Sequence, residues 1–175
     1  MRKREGYASV ALCWLVMSLA GALPFYLSGS IPSYIDALFE TISGFTTTGS
    51  SIVRDIESMP RGLLFWRSFT HWIGGMGVLV FTMALAPLLG GRSVFLARAE
   101  SPGPTFGKLV PKLSDTSKLL YIIYAGMTAV TIILLIIAGM PVFDSFIHAF
   151  GTAGTGGFSN KALSIGYYNN IWVDW

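Results

Sequence analysis

The chain has 175 residues, of which 53% are hydrophobic, 14% aromatic and only 12% charged, with a formal charge of +3 and a pI of about 9.1. Soluble domains carry roughly 25% charged residues, so the composition excludes an ordinary water-soluble protein. The basic balance raises nucleic acid as a partner, but no basic patch interleaved with aromatics accompanies it, and nucleic acid is not expected.

The basic start, MRKREG, leads into a span without charge from Ala8 to Ser28. A signal peptide has an apolar stretch of about 7 to 15 residues and a small-residue cleavage site. This stretch is longer and no such site stands at its end, so a transmembrane helix is expected. Cys13, the single cysteine, lies inside it, and no disulfide framework exists. Next comes PSYIDALFETISGF, residues 32–45. Its first-turn proline, its early Asp36 and the apolar Tyr34, Leu38 and Ile42 at i, i+4 and i+8 predict a helix of about 12 residues, about 18 Å long. Such a helix cannot cross a hydrocarbon core of about 30 Å, so the chain is expected to turn back through TTTGSS, residues 46–51. Two more charge-free spans, Trp72 to Gly91 and Leu119 to Phe143, each match the roughly 20 apolar residues that a bilayer crossing needs. The Pro/Gly-rich basic stretch GGRSVFLARAESPGPTFGKLVPKLSD between them reads as a linker outside the bilayer. After Pro141 a short amphipathic segment and a Gly/Thr-rich run return, ending in HAFGTAGTGGFSN at residues 148–160.

Charge orients these spans. Arg2, Lys3 and Arg4 precede the first, and Arg92, Arg98, Lys108, Lys112 and Lys118 lie between the second and third. Eight basic residues against three acidic ones give that side +5. The other side has Arg54, Arg61, Arg67 and Lys161 against Asp36, Glu40, Asp55, Glu57, Asp144 and Asp174, or −2. By the positive-inside rule the N-terminus and the linker are cytoplasmic and the end of the chain is external. Anionic headgroups of the inner leaflet account for the basic charge.

A shift of 108 residues sets Asp36 on Asp144, Glu40 on His148, Thr47 on Thr155, Gly49 on Gly157 and Ser51 on Ser159 without gaps. Each copy has the same order: an apolar span, a proline at the end of a short turn (Pro32, Pro141), about a dozen amphipathic residues and a Gly/Thr-rich run. Non-helical backbone at membrane depth is tolerated where it is buried in protein or lines a water-filled path. Glycine can turn its carbonyls in one direction, and a ring of carbonyls replaces the hydration shell of a monovalent cation. A flexible external loop or a close helix contact would explain either run alone. Interrupted segments at matching places in two repeats point instead to an ion site.

ALFETISGFTTTGSS resembles the first pore helix and filter of the Trk/Ktr-type potassium transporters, and HWIGGMGVLVFTMALAPLLG is similar to the helix after that filter. FIHAFGTAGTGGFSN is similar to the second pore helix and filter. The resemblance implies an all-α integral membrane protein of repeated helix, re-entrant pore loop and helix units, with about one and a half of four units present. Residues 1–91 would form the first unit, 92–118 a cytoplasmic linker and 119–175 the first helix and pore loop of the second. It implies filter carbonyls from Thr46, Thr47, Thr48, Gly49, Gly154, Thr155, Gly156 and Gly157. K+ would sit at Thr47, Thr48, Gly49, Thr155, Gly156 and Gly157, with Glu40, Ser43 and His148 as filter support. No cofactor is implied, and potassium is the transported ion. The implied partners are the missing third and fourth units, a second copy in a homodimer of the full transporter, a cytosolic nucleotide-binding regulatory subunit and the lipid of a bacterial or archaeal plasma (inner) membrane. Ending halfway through a unit, the chain reads as part of a longer transporter, without the family's gating loop of the third unit or the basic residue near the pore in the fourth.

Other readings remain open at this stage. Within the family the alternatives are a sodium-permeable or Na+-coupled transporter. Outside it they are a non-conducting assembly or a polytopic membrane enzyme using Glu40, His71 and His148, which would need these groups to converge; no catalysis is expected in the leading reading. Neither histidine has a second ligand at metal-binding spacing, and both read as packing residues with satisfied nitrogens. Asp36 is expected at an exposed mouth position, and Arg67 at the outer end of its helix. HWIGGMG lacks the strand and the Lys-Ser/Thr ending of a phosphate loop, and its glycines are expected to let the helix pack tightly on a pore helix.

Overall fold

The computed structural model describes residues 3–85 and 113–174, and every regular element among them is helical. Three helices of 25 residues, α1 (Lys3–Leu27), α3 (Arg61–Leu85) and α4 (Leu113–Ile137), are described with two of 12 residues, α2 (Tyr34–Phe45), which follows α1, and α5 (Val142–Ala153), which follows α4. A 3-10 turn at Ser164–Tyr168 and a short α6 (Ile171–Asp174) follow. At 1.5 Å per residue the long helices reach about 37 Å and the short ones about 18 Å, on either side of the roughly 30 Å of a bilayer core. By length and composition alone, Lys118–Ile137 is the one described segment that qualifies as a span.

Local chemistry sets the breaks. α1 and α4 both end in a left-handed glycine, Gly29 at φ +73° and Gly139 at φ +93°, a conformation that stops a helix without a Cβ penalty. Across these turns Ile31 N donates to Phe25 O at 3.2 Å, and Met140 N to Leu135 O at 3.0 Å. The Ser33 side chain caps α2 by accepting from Asp36 N, whereas Pro141 starts α5 without a side-chain cap.

α2 packs on α1, α5 packs on α4, and α3 packs on both short helices. The core gathers Ala22, Phe25, Ala37, Leu63, Leu64 and Ile147 from four of these helices. In lipid, apolar burial no longer drives association, so small residues and interhelical hydrogen bonds replace it. Trp66 Nε1 donates to Gly21 O at 2.9 Å, Trp72 Nε1 to Thr128 Oγ1 at 3.1 Å and Tyr124 OH to Trp72 O at 3.1 Å. A Cβ on Gly74 would strike the Phe45 carbonyl and one on Gly75 the Tyr124 hydroxyl, so this pair of glycines lets α3 lie against the end of α2 and against α4. α4 turns Ile122, Met127 and Ile137 outward, at 68%, 68% and 75% exposed, so one of its faces is apolar and open among the described residues.

Three expectations change. The second long helix starts at Arg61 rather than near Trp72, because Arg67 is paired and buried inside it instead of marking its edge. The third runs from Leu113 to Ile137 and takes in the end of the stretch read as linker; the rest of that stretch, with Arg92, Arg98, Lys108 and Lys112, lies outside the described residues. The buried face of α2 only partly follows the apolar stripe: Tyr34 and Leu38 pack against the core, but Ile42 is exposed, and Glu40, Thr41, Ser43 and Gly44 turn inward beside Ala37 and Phe45. The polar groups are buried because they have hydrogen-bond partners there, Glu40 with Arg67, Ser51 and Ile52 and Ser43 with Ser50.

Candidate functional site

Each short helix ends in a four-residue loop, and the two loops repeat one another. In the first, Thr46 is at φ −81°, Thr47 at +56° and Gly49 at +77°. In the second, Gly154 is at φ −77°, Thr155 at +58° and Gly157 at +76°. Thr48 and Gly156 are not left-handed, so handedness alternates along both runs. Thr47 N donates to Gly44 O at 3.0 Å and Thr155 N to Thr152 O at 2.9 Å; Thr48 N donates to Ser43 O at 3.0 Å and Gly156 N to Gly151 O at 3.1 Å. These are the paired bonds of a Schellman helix end, which places a left-handed residue just past each cap, at Thr47 and Thr155; threonine in place of glycine there costs about 1–2 kcal/mol, at the same place in both repeats.

The loops also meet. A Cβ on Gly49 would collide with the Gly156 carbonyl oxygen, whereas one on Gly157 would meet nothing within 4 Å among the described residues. Thr46, Thr48 and Thr155 are exposed, and Thr47, Gly49 and Gly156 are half-buried.

Behind the first loop Ser43 Oγ donates to Ser50 O at 2.5 Å. Glu40, 1% exposed, accepts from Ser51 Oγ and from Ile52 N, both at 2.9 Å, and from Arg67 Nε at 2.5 Å. Behind the second loop the equivalent contacts are neutral: His148 Nδ1 lies 2.9 Å from Asp144 O and Nε2 lies 3.2 Å from Ser159 Oγ. These partners assign the proton to Nδ1 and make Nε2 the acceptor. Position 40 thus holds Ser51 as position 148 holds Ser159. The residues read as filter support face the backs of the loops, and Asp36 is half-buried.

Sequence reasoning missed the centre of this arrangement. Arg67, 3% exposed, also donates Nη1 to Ser159 O at 3.0 Å, and its guanidinium lies 3.6 Å from the Phe158 ring centroid. One turn on, His71 stacks on Phe158 at 3.9 Å, and its ring would meet a Cβ on Gly156. Its two nitrogens have no partner among the described residues, unlike those of His148, so the expectation of a satisfied histidine fails for His71. The available signal was the pairing rule: Glu40, the carboxylate nearer the loop in a half-spanning helix, needs a counter-charge when buried, and Arg67 is an intramembrane one.

Glu40 and His148 are linked through Arg67 and Ser159, whereas His71, the third residue of the enzyme reading, stacks on Phe158 and hydrogen-bonds to neither. Both Glu40 oxygens are occupied by donors, and among the described residues no group of three His, Cys, Asp or Glu is arranged to hold a metal ion. The cluster is a closed set of hydrogen bonds that holds backbone.

The sequence pattern of the TrkH family, described as cation transport protein, matches residues 1–175. The chain is 41% identical to the Trk system potassium uptake protein TrkG of Escherichia coli over 99% of its length and 36% of that protein's. It is 42% identical to the Trk system potassium uptake protein TrkH of Salmonella typhimurium over 97% of its length, again 36% of the relative's. The crystal structure of the potassium transporter TrkH from Vibrio parahaemolyticus superposes with a TM-score of 0.82 at 34% identity, covering 99% of this chain and 34% of that one. The chain spans about a third of the length of the relatives it matches. A short helix after a long one in each of two repeats, loops that repeat in conformation and this match over its whole length make the chain a member of the TrkH family of cation transport proteins.

Proposed function

We propose that this chain is the N-terminal third of a potassium uptake transporter and supplies two strands of its selectivity filter. The observation that carries the reading is the alternation of backbone handedness at Thr46, Thr47, Thr48 and Gly49 and again at Gly154, Thr155, Gly156 and Gly157. Alternating right- and left-handed residues bring successive peptide groups to one side, the requirement for a column of carbonyl sites. Potassium dehydrates into such sites and moves on by repulsion between neighbouring ions. The relatives named as Trk potassium uptake proteins support K+ as the cargo.

In this reading Glu40, Ser43 and His148 hold the loops from behind. The first unit occupies residues 1–91 and the second begins at 119. The charge division of +5 and −2 supports a cytoplasmic N-terminus, and the relatives named as potassium uptake proteins support a plasma membrane location. The test is Gly49→Ser and Gly157→Ser in the full-length transporter carrying this chain. Each should lower the K+ to Na+ uptake ratio in cells lacking other potassium uptake systems. Unchanged flux and ratio in both variants refutes the filter assignment.

A further inference from the structure

The segments that follow the two loops hang on one guanidinium. Glu40 on α2 binds Ser51 and Ile52, two and three residues past Gly49. Arg67 on α3 binds that carboxylate with Nε and, with Nη1, the carbonyl of Ser159, two residues past Gly157. Phe158, the residue between, lies under the guanidinium plane. A buried ion pair contributes little net stability over an apolar pair of the same shape. What this pair provides is a fixed distance between two stretches of backbone that belong to different repeats. A planar fork with separate donors on Nε and Nη1 can hold both while stacking on a ring. A lysine ammonium, a point charge on a flexible stem, cannot match that geometry.

We propose that Arg67 is a positioning residue that sets the register of the second loop against the first, and thereby the ion discrimination of the pair, by binding Glu40 and the Ser159 carbonyl at once. This rests on the reading of the loops as filter strands. The sites between the strands depend on carbonyl spacing, and the collision that a Cβ on Gly49 would make with Gly156 O shows how little slack the two loops have. Glu40 and His148 each hold one loop to its own short helix; Arg67 reaches from the first unit into the second.

The experiment uses the full-length transporter with two readouts. The first is the K+ to Na+ uptake ratio, taken as the ratio of apparent affinities rather than of maximal rates. The second is the yield of cross-linking between Glu57→Cys and Lys161→Cys by a short bis-methanethiosulfonate reagent in a background without other cysteines, Cys13→Ser included. Glu57 and Lys161 lie on the segments after the two loops and meet through the ends of their side chains, Nζ 3.8 Å from Oε2, so a reagent that replaces that length reports their register whatever the transport activity. Arg67→Lys should lower the affinity ratio roughly tenfold, the factor equal to about 1.4 kcal/mol, and lower the cross-link yield. The neutral pair Glu40→Gln with Arg67→Met, which removes both buried charges, should show the same two losses because the Ser159 carbonyl is still released. It also serves if Arg67→Lys fails to reach the membrane. Either variant with wild-type ratio and wild-type yield overturns the proposal, as does loss of one readout without the other. Restoration of both by the neutral pair would show that Arg67 only neutralises Glu40, and would overturn it too. If the parent itself does not discriminate K+ from Na+, the filter reading has failed, and an unchanged yield in the variants would then overturn the register claim separately.

Discussion

Gly49→Ala and Gly157→Ala should differ sharply in the 175-residue chain, although the two glycines share a conformation. Both sit at nearly the same positive φ, +77° and +76°, where an L side chain costs about 1–2 kcal/mol. At Gly157 that is the whole penalty, since a new methyl would meet open space among the described residues. At Gly49 the methyl would land on the Gly156 carbonyl, with the carbonyl carbon 3.0 Å away. These are backbone atoms that cannot rotate aside, and overpacking of this kind costs about a further 1–3 kcal/mol. For a chain of this size each kcal/mol shifts Tm by about 2–4 °C, so Gly49→Ala should melt about 2–12 °C below Gly157→Ala. The assay is thermal unfolding of both variants in one detergent, followed by intrinsic fluorescence. Equal destabilisation, or a larger loss at Gly157, would refute the reasoning that the two loops touch as described. In the full-length transporter the gap should narrow, because a further unit would cover the face that Gly157 leaves open.

Further predictions concern topology, the outer segment and conduction. With Cys13→Ser, cysteines introduced at Ser101 and Asn169 should react with an impermeant reagent from opposite faces of the membrane; labelling of both from outside would overturn the charge-based orientation. Burial first, and then the hydrogen bond and charge of Asp144, whose Oδ2 lies 2.6 Å from Tyr168 OH, raise the Tyr168 pKa above its ordinary 10.0. A raised folded value means a stabilising contribution that is complete below about pH 10 and is lost as pH climbs through the folded value. Asp144→Asn should therefore lower the Tyr168 step in a tyrosinate absorbance titration, with Tyr168→Phe identifying that step; no movement would deny the contact. The 175-residue chain by itself in liposomes should carry no selective K+ flux, since two strands cannot surround an ion. Selective uptake by single copies would contradict this.

Much of the arrangement was legible because it repeats. The shift of 108 residues that aligns Thr47 with Thr155 and Gly49 with Gly157 in sequence also aligns their positive φ values, and the two 12-residue helices start and stop on the same register. The bonds from Ser51 and Ile52 to Glu40 were foreseeable from an intramembrane carboxylate placed beside a stretch of non-helical backbone. Less legible was which way α2 would face, because its apolar stripe suggested burial of Ile42, which is exposed, while Thr41 and Gly44 are buried. Periodicity reports that a helix has two faces; it does not say whether lipid or protein covers the apolar one. Arg67 was misplaced for a related reason. Counting charge-free residues treats every arginine as a boundary, and a buried arginine looks the same in sequence as one at the interface until its partner is known.

The position of α3 bears on how the protein is made. It belongs to the first repeat, yet Arg67, His71 and Gly75 form the surface on which Phe158, Gly156 and Gly154 of the second repeat rest. Synthesis runs from the N-terminus, and units generally fold as they emerge. The second loop, with a left-handed threonine that it must be held into, emerges about eighty residues after the helix that holds it. The first repeat is therefore a mould: once α3 is seated, the strained backbone of the next loop has a finished wall to settle against. A defect in α3 should pass to the later repeat even where the first is intact. Ribosome-attached chains arrested at successive lengths would show Phe158 becoming protected only when α3 is already in place.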